Sequence, residues 1–394
     1  MQSNYPVVHL KKGKDISIQR RHHWVFSGAI AKKDGGIAAG DLVEVVDEKG
    51  RFLAVGFYGE GSIAVRIAAF DQGPLNASFW VQSLRKAYDL RRLLGLTDNL
   101  DTNVYRLFHG EGDLMPGLII DYYNGTAVVQ AHHEGIHRHL TDIASALQSI
   151  YGENLKAVYD KSQATISGNS LVTDGFVFGT PETNQVREYG NLFEIDWEKG
   201  QKTGFFIDQR ENRYLLGKYA AGKKVLNTFC YSGGFSVYAL NQGAKEVHSV
   251  DISAAAVALT DQNVAINGLA AGRHRSVAAD VMHYLKEVSQ DFEVIVLDPP
   301  AFAKHVRSRH QAVQAYKRIN SLAIKNIRSG GLLFTFSCSQ VVDMTLFSHT
   351  VTAAAMEAGR QVKIIHQLTQ PGDHPINIFH QETAYLKGLV LYVV

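Results

Sequence analysis

Only two cysteines, Cys230 and Cys338, occur in 394 residues. Two thiols cannot build a disulfide framework or complete a Cys-rich zinc site, and such scarcity fits a reducing compartment, so a cytoplasmic protein without a metal is expected. No apolar run reaches the roughly 18 residues of a membrane-spanning helix, and no apolar core separates Met1 from the basic Lys11-Lys12-Gly13-Lys14, so neither a membrane partner nor a signal peptide is expected. Proline is sparse too, at 8 residues, while 45% of the chain is hydrophobic and 20% charged, which excludes a disordered or collagen-like chain. One core is too few for this length, since domains run to roughly 100–200 residues.

Acidic residues are missing from particular places. Between Met1 and Lys33 stand seven Lys or Arg (Lys11, Lys12, Lys14, Arg20, Arg21, Lys32, Lys33) against the single acid Asp15. From Ala301 to Val342 there are seven more, including Lys304, Arg307 and Arg309, and no acid at all. Either stretch alone reads as a solvated face. Together they point to a polyanion, because clustered cations neutralise phosphates and release counterions.

The first 70 or so residues read as short strands with turn signals: Leu42–Asp47, Phe52–Tyr58 and Ile63–Ala68, punctuated by glycines, make a small all-β module. After the turn at Asp71-Gln72-Gly73-Pro74, the spacing predicts a helix over Phe79–Leu94, strands at Leu118–Tyr122 and Thr126–Gln130, and a helix over about His137–Tyr151. From about Leu192 apolar strands alternate with helices, the pattern of a doubly wound parallel sheet, with strands at Val225–Phe229, Val247–Asp251, Val294–Asp298 and Leu332–Phe336. The expected division is 1–72, 73–185 and 186–394.

In such sheets ligands bind beyond the carboxyl ends of the strands. There the sequence places a Gly-rich loop, Phe229-Cys230-Tyr231-Ser232-Gly233-Gly234, then Asp251 about 20 residues on, where a carboxylate can accept hydrogen bonds from a ribose diol. The loop is not G-x-G-x-x-G, which counts against a nicotinamide-dependent oxidoreductase. Asp280, at the expected end of a third strand, can meet an adenine amino group, so S-adenosylmethionine is the cofactor expected. Asp298-Pro299-Pro300 closes the fourth strand and Ser337-Cys338-Ser339 the next. A Cys338 thiolate adding to C6 of a pyrimidine would make C5 nucleophilic, with Lys304 or Arg307 lowering the thiol pKa and Asp298 holding the base edge. Cys230 is read primarily as packing.

These segments resemble the bacterial 23S rRNA cytosine-C5 methyltransferases of the RlmI type. The resemblance spans essentially the whole chain and rests on Gln201-Lys202-Thr203-Gly204-Phe205-Phe206-Ile207-Asp208-Gln209-Arg210 with Asn212 and Arg213, Asn227–Phe235, Asp298–Phe302 and Ser337-Cys338-Ser339. Further marks are His23–Ser27, Glu111–Asp121 and Tyr385-Leu386-Lys387-Gly388. It implies a multi-domain α/β protein: an N-terminal PUA-like RNA-binding β-barrel, a central small α+β domain, and a Rossmann-like class I methyltransferase domain of seven strands, the last antiparallel. It implies Cys338 as nucleophile, and the residues around it put Asp298 and Lys304 in support. The implied cofactor residues are Phe229, Cys230, Tyr231, Gly233, Asp251, Ser253, Asp280 and Asp298, with Asp208 and Gln209. Lys11, Lys12, Arg20, Arg21, Trp24, Arg307 and Arg309 would contact RNA. The implied partners are 23S rRNA, naked or early in assembly, and a second copy in a homodimer. Two departures stand out: Asn227 where many class I methyltransferases carry an acid, and His22-His23-Trp24 where His-Pro-Trp is usual. Two other functions stay open: methylation of a guanine ring nitrogen without a nucleophile, and a non-catalytic RNA-binding assembly factor.

Overall fold

A computed structural model describes residues 5–166, 172–269, 272–287, 291–303 and 305–394. The chain forms two compact units, the first of Met1–Asn184, Ile195–Phe205 and Gly372–Thr383, the second of Gln185–Glu194, Phe206–Pro371 and Ala384–Val394.

The first unit opens with β1 (Val7–Leu10), α1 (Ile16–Gln19), β2 (Trp24–Phe26), β3 (Ile30–Lys33), β4 (Leu42–Val46), β5 (Phe52–Tyr58) and β6 (Ile63–Ala69). Their sheet runs β2-β6-β5-β4-β1-β3, with β1 parallel to β4 and the other pairs antiparallel. Val43 and Val45 of β4 are fully buried while Leu42 and Glu44 are not, the period of two that turns one strand face to a core. Strands β4, β5 and β6 are legible in the sequence, and β1, β2 and β3 are not. Strands of three or four residues are too short to show that period.

The unit continues through α2 (Ala77–Leu93), β7 (Val104–His109), β8 (Leu118–Tyr123), β9 (Thr126–Ala131), α3 (Glu134–His137), α4 (Leu140–Tyr151), β10 (Ala157–Asp160) and β11 (Gly175–Gly179), with sheet order β11-β10-β9-β8-β7. Helix α2 starts where the Asn76 side chain accepts the Phe79 N–H, and it buries Trp80, Leu84, Ala87 and Arg91 along one face. Arg91 is accepted in that core because its guanidinium grips Asp113 through two bonds of 2.6 and 2.7 Å. The helix expected from about His137 instead begins at Leu140, after the separate turn of α3.

The second unit starts with the hairpin β12 (Gln185–Glu188) and β13 (Asn191–Glu194), then α5 (Arg210–Ala220). There follow β14 (Lys224–Thr228), α6 (Gly234–Asn241), β15 (Glu246–Asp251), α7 (Ala254–Ile266), β16 (His274–Ala278), α8 (Val281–Glu287), β17 (Val294–Leu297), α9 (Arg309–Asn326), β18 (Gly331–Ser337), α10 (Met344–Ala358), β19 (Val362–Leu368) and β20 (Lys387–Val393). The sheet has seven strands in the order β16-β15-β14-β17-β18-β20-β19, and β20, the last in the chain, is the one antiparallel member. All four residues of β17 and all seven of β18 are buried, as expected of strands covered on both faces. The chain winds outward from β14 to β16 and restarts at β17 on the other side of β14. That reversal opens a crevice at the carboxyl ends of β14 and β17.

Candidate active site

Strand register decides which loops meet. Thr228 pairs with Val250 and Leu297, Asp251 with Ala278, and Leu297 with Thr335, so the segments after β14, β15, β16, β17 and β18 emerge at one edge of the sheet. Phe229, Tyr231, Gly233, Asp251, Ser253, Asp280, Asp298 and Cys338 are thereby brought to that edge. Phe229 and Asp298, read from sequence as strand residues, lie just beyond their strands. Both are only half-buried, and the sequence alone does not show where the ladder hydrogen bonds stop.

The loop after β14 is conformationally costly. Phe229 and Tyr231 have φ of 54° and 44°, and Gly233 has 76°; a non-glycine residue in this left-handed region costs roughly 1–2 kcal/mol. At Gly233 a Cβ would lie 2.7 Å from Thr260 Cγ2, so only glycine lets the chain turn there into α6. The turn is held by the Gly233 N–H on the Cys230 carbonyl at 2.7 Å. The Asp251 carboxylate receives the Tyr231 N–H at 3.1 Å and the Ser253 N–H at 3.0 Å. Each carboxylate oxygen has a second lone pair, so the aimed group keeps capacity for a diol. Ser253 caps α7 through the Ala256 N–H, and Asp280 accepts the His283 N–H at the start of α8. This arrangement fits S-adenosylmethionine.

Cys230 lies in this loop but is buried, receives the Thr260 hydroxyl at 3.4 Å, and has its thiol pushed up to about 12, mainly by burial. Such a thiol is inert at neutral pH. Asn227 is also buried and turned away from ligand duty: its amide donates to Ser236 Oγ at 2.8 Å, Ser236 meets Ser249 Oγ at 2.7 Å, and Ser249 meets His274 Nε2 at 2.8 Å.

Asp208 and Gln209 form a tight turn ahead of α5, both buried. The Tyr385 hydroxyl donates to Asp208 at 2.7 Å, and Gln209 accepts from the Asn212 amide at 2.6 Å. Behind them Arg213 binds Glu188 through two bonds of 2.9 and 2.7 Å and the Phe206 carbonyl at 2.9 Å, while the Tyr238 hydroxyl reaches Glu188 at 3.0 Å. Burial lowers the Arg213 pKa, but the Glu188 charge overrides it and the net shift is upward. Glu188 was absent from the sequence reading, because β12 is too short to signal itself.

Cys338 is half-buried between the buried Ser337 and Ser339. Ser339 is tied by the Tyr316 hydroxyl at 3.0 Å. Sequence reading also missed Lys387, named only as part of a family mark. Antiparallel pairing sets Lys387 opposite Ser337, and its ammonium donates to the Ser339 and Tyr385 carbonyls, each at 2.7 Å. Burial lowers its pKa to about 8, against the opposing pull of Cys338 and Asp343. A buried cation thus acts electrostatically on Cys338. Lys304, expected in that role, lies outside the described residues.

Of the residues expected to contact RNA, Lys11, Lys12, Arg20 and Arg21 are exposed in the first unit, and Arg307 and Arg309 are exposed in the second, where the chain enters α9. Trp24 is only half-exposed, with its indole N–H on Glu111 at 2.7 Å. Phe26, 49% exposed, is the freer aromatic surface nearby. No helix among the described residues is long and apolar enough to cross a membrane.

Comparison with known proteins agrees with this geometry. Residues 8–70 match a PUA-like domain, and residues 105–390 match the S-adenosylmethionine-dependent methyltransferase family. A "Ribosomal RNA large subunit methyltransferase I" of Tolumonas auensis is 38% identical over 98% of this chain and 99% of its own. One from Klebsiella pneumoniae is 37% identical over 100% and 99%. A solved Streptococcus mutans chain assigned as a SAM-dependent methyltransferase shares the fold with a TM-score of 0.84 at 21% identity, over 98% of this chain and 99% of that one. With a PUA-like module ahead of a seven-stranded cofactor-binding sheet, and relatives matched end to end, the chain belongs to the ribosomal RNA large subunit methyltransferase I family of S-adenosylmethionine-dependent methyltransferases.

Proposed function

We propose that this protein methylates C5 of a cytosine in large-subunit ribosomal RNA, with Cys338 as covalent nucleophile. The observation that carries the reading is the half-buried Cys338 at the end of β18, beside the Asp298-Pro299-Pro300 segment that leaves neighbouring β17, with the buried Lys387 ammonium acting on it. The rRNA substrate is supported by the names of the full-length relatives and by the PUA-like module.

Cytosine C5 is too poor a nucleophile to take a methyl group unaided. The Cys338 thiolate forms a bond to C6, and the C5–C6 π electrons shift to C5. Lys387 favours the thiolate, since a cation in a dry site stabilises a neighbouring anion more than water would. Asp298 holds the base edge as charge builds on the ring. S-adenosylmethionine, which the Phe229–Gly233 loop, Asp251, Ser253 and Asp280 would hold, would supply the electrophilic methyl to C5, its sulfonium–CH3 bond breaking so that S-adenosylhomocysteine leaves. Loss of the C5 proton to a water molecule then re-forms the C5–C6 double bond as the C6–S bond breaks and Cys338 leaves as the thiolate. Reaching the ring faces requires the base to leave its stack, and the exposed Lys11, Lys12, Arg20 and Arg21 of the first unit and Arg307 and Arg309 of the second each offer cations to RNA phosphates.

The test is incubation with unmodified 23S rRNA and methyl-labelled cofactor, followed by digestion to nucleosides and mass spectrometry. Labelled 5-methylcytidine is expected, with a covalent complex on RNA carrying 5-fluorocytosine. Label on guanosine would discard the thiolate mechanism, and RNA binding without any label would favour an assembly role.

A further inference from the structure

His22, His380 and Glu382 come from opposite ends of the chain, yet all lie in the first unit and offer donor atoms within 4.8 Å of one another. Both ring Nε2 atoms face the same carboxylate oxygen: His22 stands 3.8 Å and His380 3.7 Å from Glu382 Oε2. The imidazoles stack at 4.3 Å between centroids. The His380 side chain is fully buried, and neither of its ring nitrogens has a hydrogen-bond partner among the described residues. Burying a polar group without a partner costs about 1–3 kcal/mol, so a well-packed histidine with two such nitrogens calls for a ligand.

We propose that His22, His380 and Glu382 bind a divalent transition-metal ion of the zinc class. Two imidazoles and one carboxylate are the donor set that zinc accepts with a fourth position left for water, whereas magnesium and calcium prefer all-oxygen sites. Tetrahedral bonds of about 2.0–2.1 Å place donors about 3.4 Å apart, so the distances to Glu382 close by a few tenths of an ångström on binding. His22 is already oriented. Its Nδ1 accepts the Trp24 N–H at 3.2 Å, and when the proton moves to Nδ1 to free Nε2 for the ion, the Trp24 carbonyl at 3.4 Å receives it. Trp24 is in turn fixed by Glu111 and packs edge-on against His380, their centroids 4.4 Å apart. The ion staples the Gly372–Thr383 segment to the strand that carries Trp24, within the first unit.

The full-length protein, stripped by a chelator and dialysed, should take up one zinc ion per chain in a calorimetric titration, and one cobalt ion with the visible absorption of a four-coordinate site. Glu382→Gln should weaken uptake at least tenfold; Glu382 is exposed, so the variant keeps its circular dichroism spectrum. His380→Gln and His22→Gln should do the same, whereas His283→Gln, at an exposed pair with Glu287, should leave uptake unchanged. Absence of uptake, or stoichiometric uptake unaffected by Glu382→Gln and His380→Gln, would overturn the site.

Discussion

Cys230 and Cys338 follow strands of one parallel sheet at the same edge, yet their surroundings are opposite. Cys230 is 5% exposed in the glycine loop, with its thiol pushed up to about 12 by burial and further by the Asp251 charge. Cys338 is half-buried and has a buried ammonium acting on it. Position in the fold makes a residue available; the dielectric and the nearest charge make it reactive. The same contrast separates the two loops. The first stores backbone strain in its turn, and the second holds the cysteine proposed as nucleophile between two buried serines.

The contrast is broken most completely by Cys338→Ala, which should abolish labelled product and the covalent complex while cofactor affinity, measured by calorimetry, stays within about twofold; undiminished product would remove Cys338 from the mechanism. Gly233→Ala attacks the other loop. With a φ of 76° and a Cβ contact of 2.7 Å, it should cost about 1–3 kcal/mol and weaken cofactor binding tenfold or more, whereas Cys338 alkylation should be spared.

Lys387→Met tests the charge itself. At pH 7 it should slow alkylation of Cys338 by iodoacetamide roughly tenfold, one pKa unit being about 1.4 kcal/mol. The difference from the parent protein should shrink as pH rises through about 8, where the folded lysine loses its proton. The stability effect has the opposite sign. Burial depresses the folded pKa below the unfolded value of 10.5, so the lysine favours the fold most above that value, and this contribution is lost as pH falls through about 8. The variant should therefore melt no lower than the parent at pH 7 while its thiol reacts more slowly, a pairing that mere structural damage would not produce. Cys230→Ala should have the smallest effect, with product formation within about twofold and a destabilisation of about 1 kcal/mol, read by chemical denaturation.

The strands β14, β15, β17 and β18 were legible because buried parallel strands read as apolar runs, and the loops after them because glycine, aspartate and proline punctuate such runs. The ends of β14 and β17 were not, since nothing in the sequence marks that the ladder stops before Phe229 and Asp298. The short β12 hid Glu188, so the reading had Arg213 within a motif but not its buried partner. Lys387 was visible as a letter near the end of the chain. Its nearness to Cys338 depends on β20 running antiparallel against β18 in one register, and a slip of one residue would send the side chain to the other face.

Composition, periodicity and local motifs by themselves determined the β-module, the doubly wound sheet and the cofactor class, and they singled out Cys338 as the candidate, because each is written in residues close together in sequence. Only tertiary structure decided which cation acts on that thiol, that Asn227 serves a buried hydrogen-bond chain, and that His22 and His380 share one carboxylate. Those are pairings between distant segments, and burial, charge and hydrogen-bond geometry acquire values only once the chain has folded.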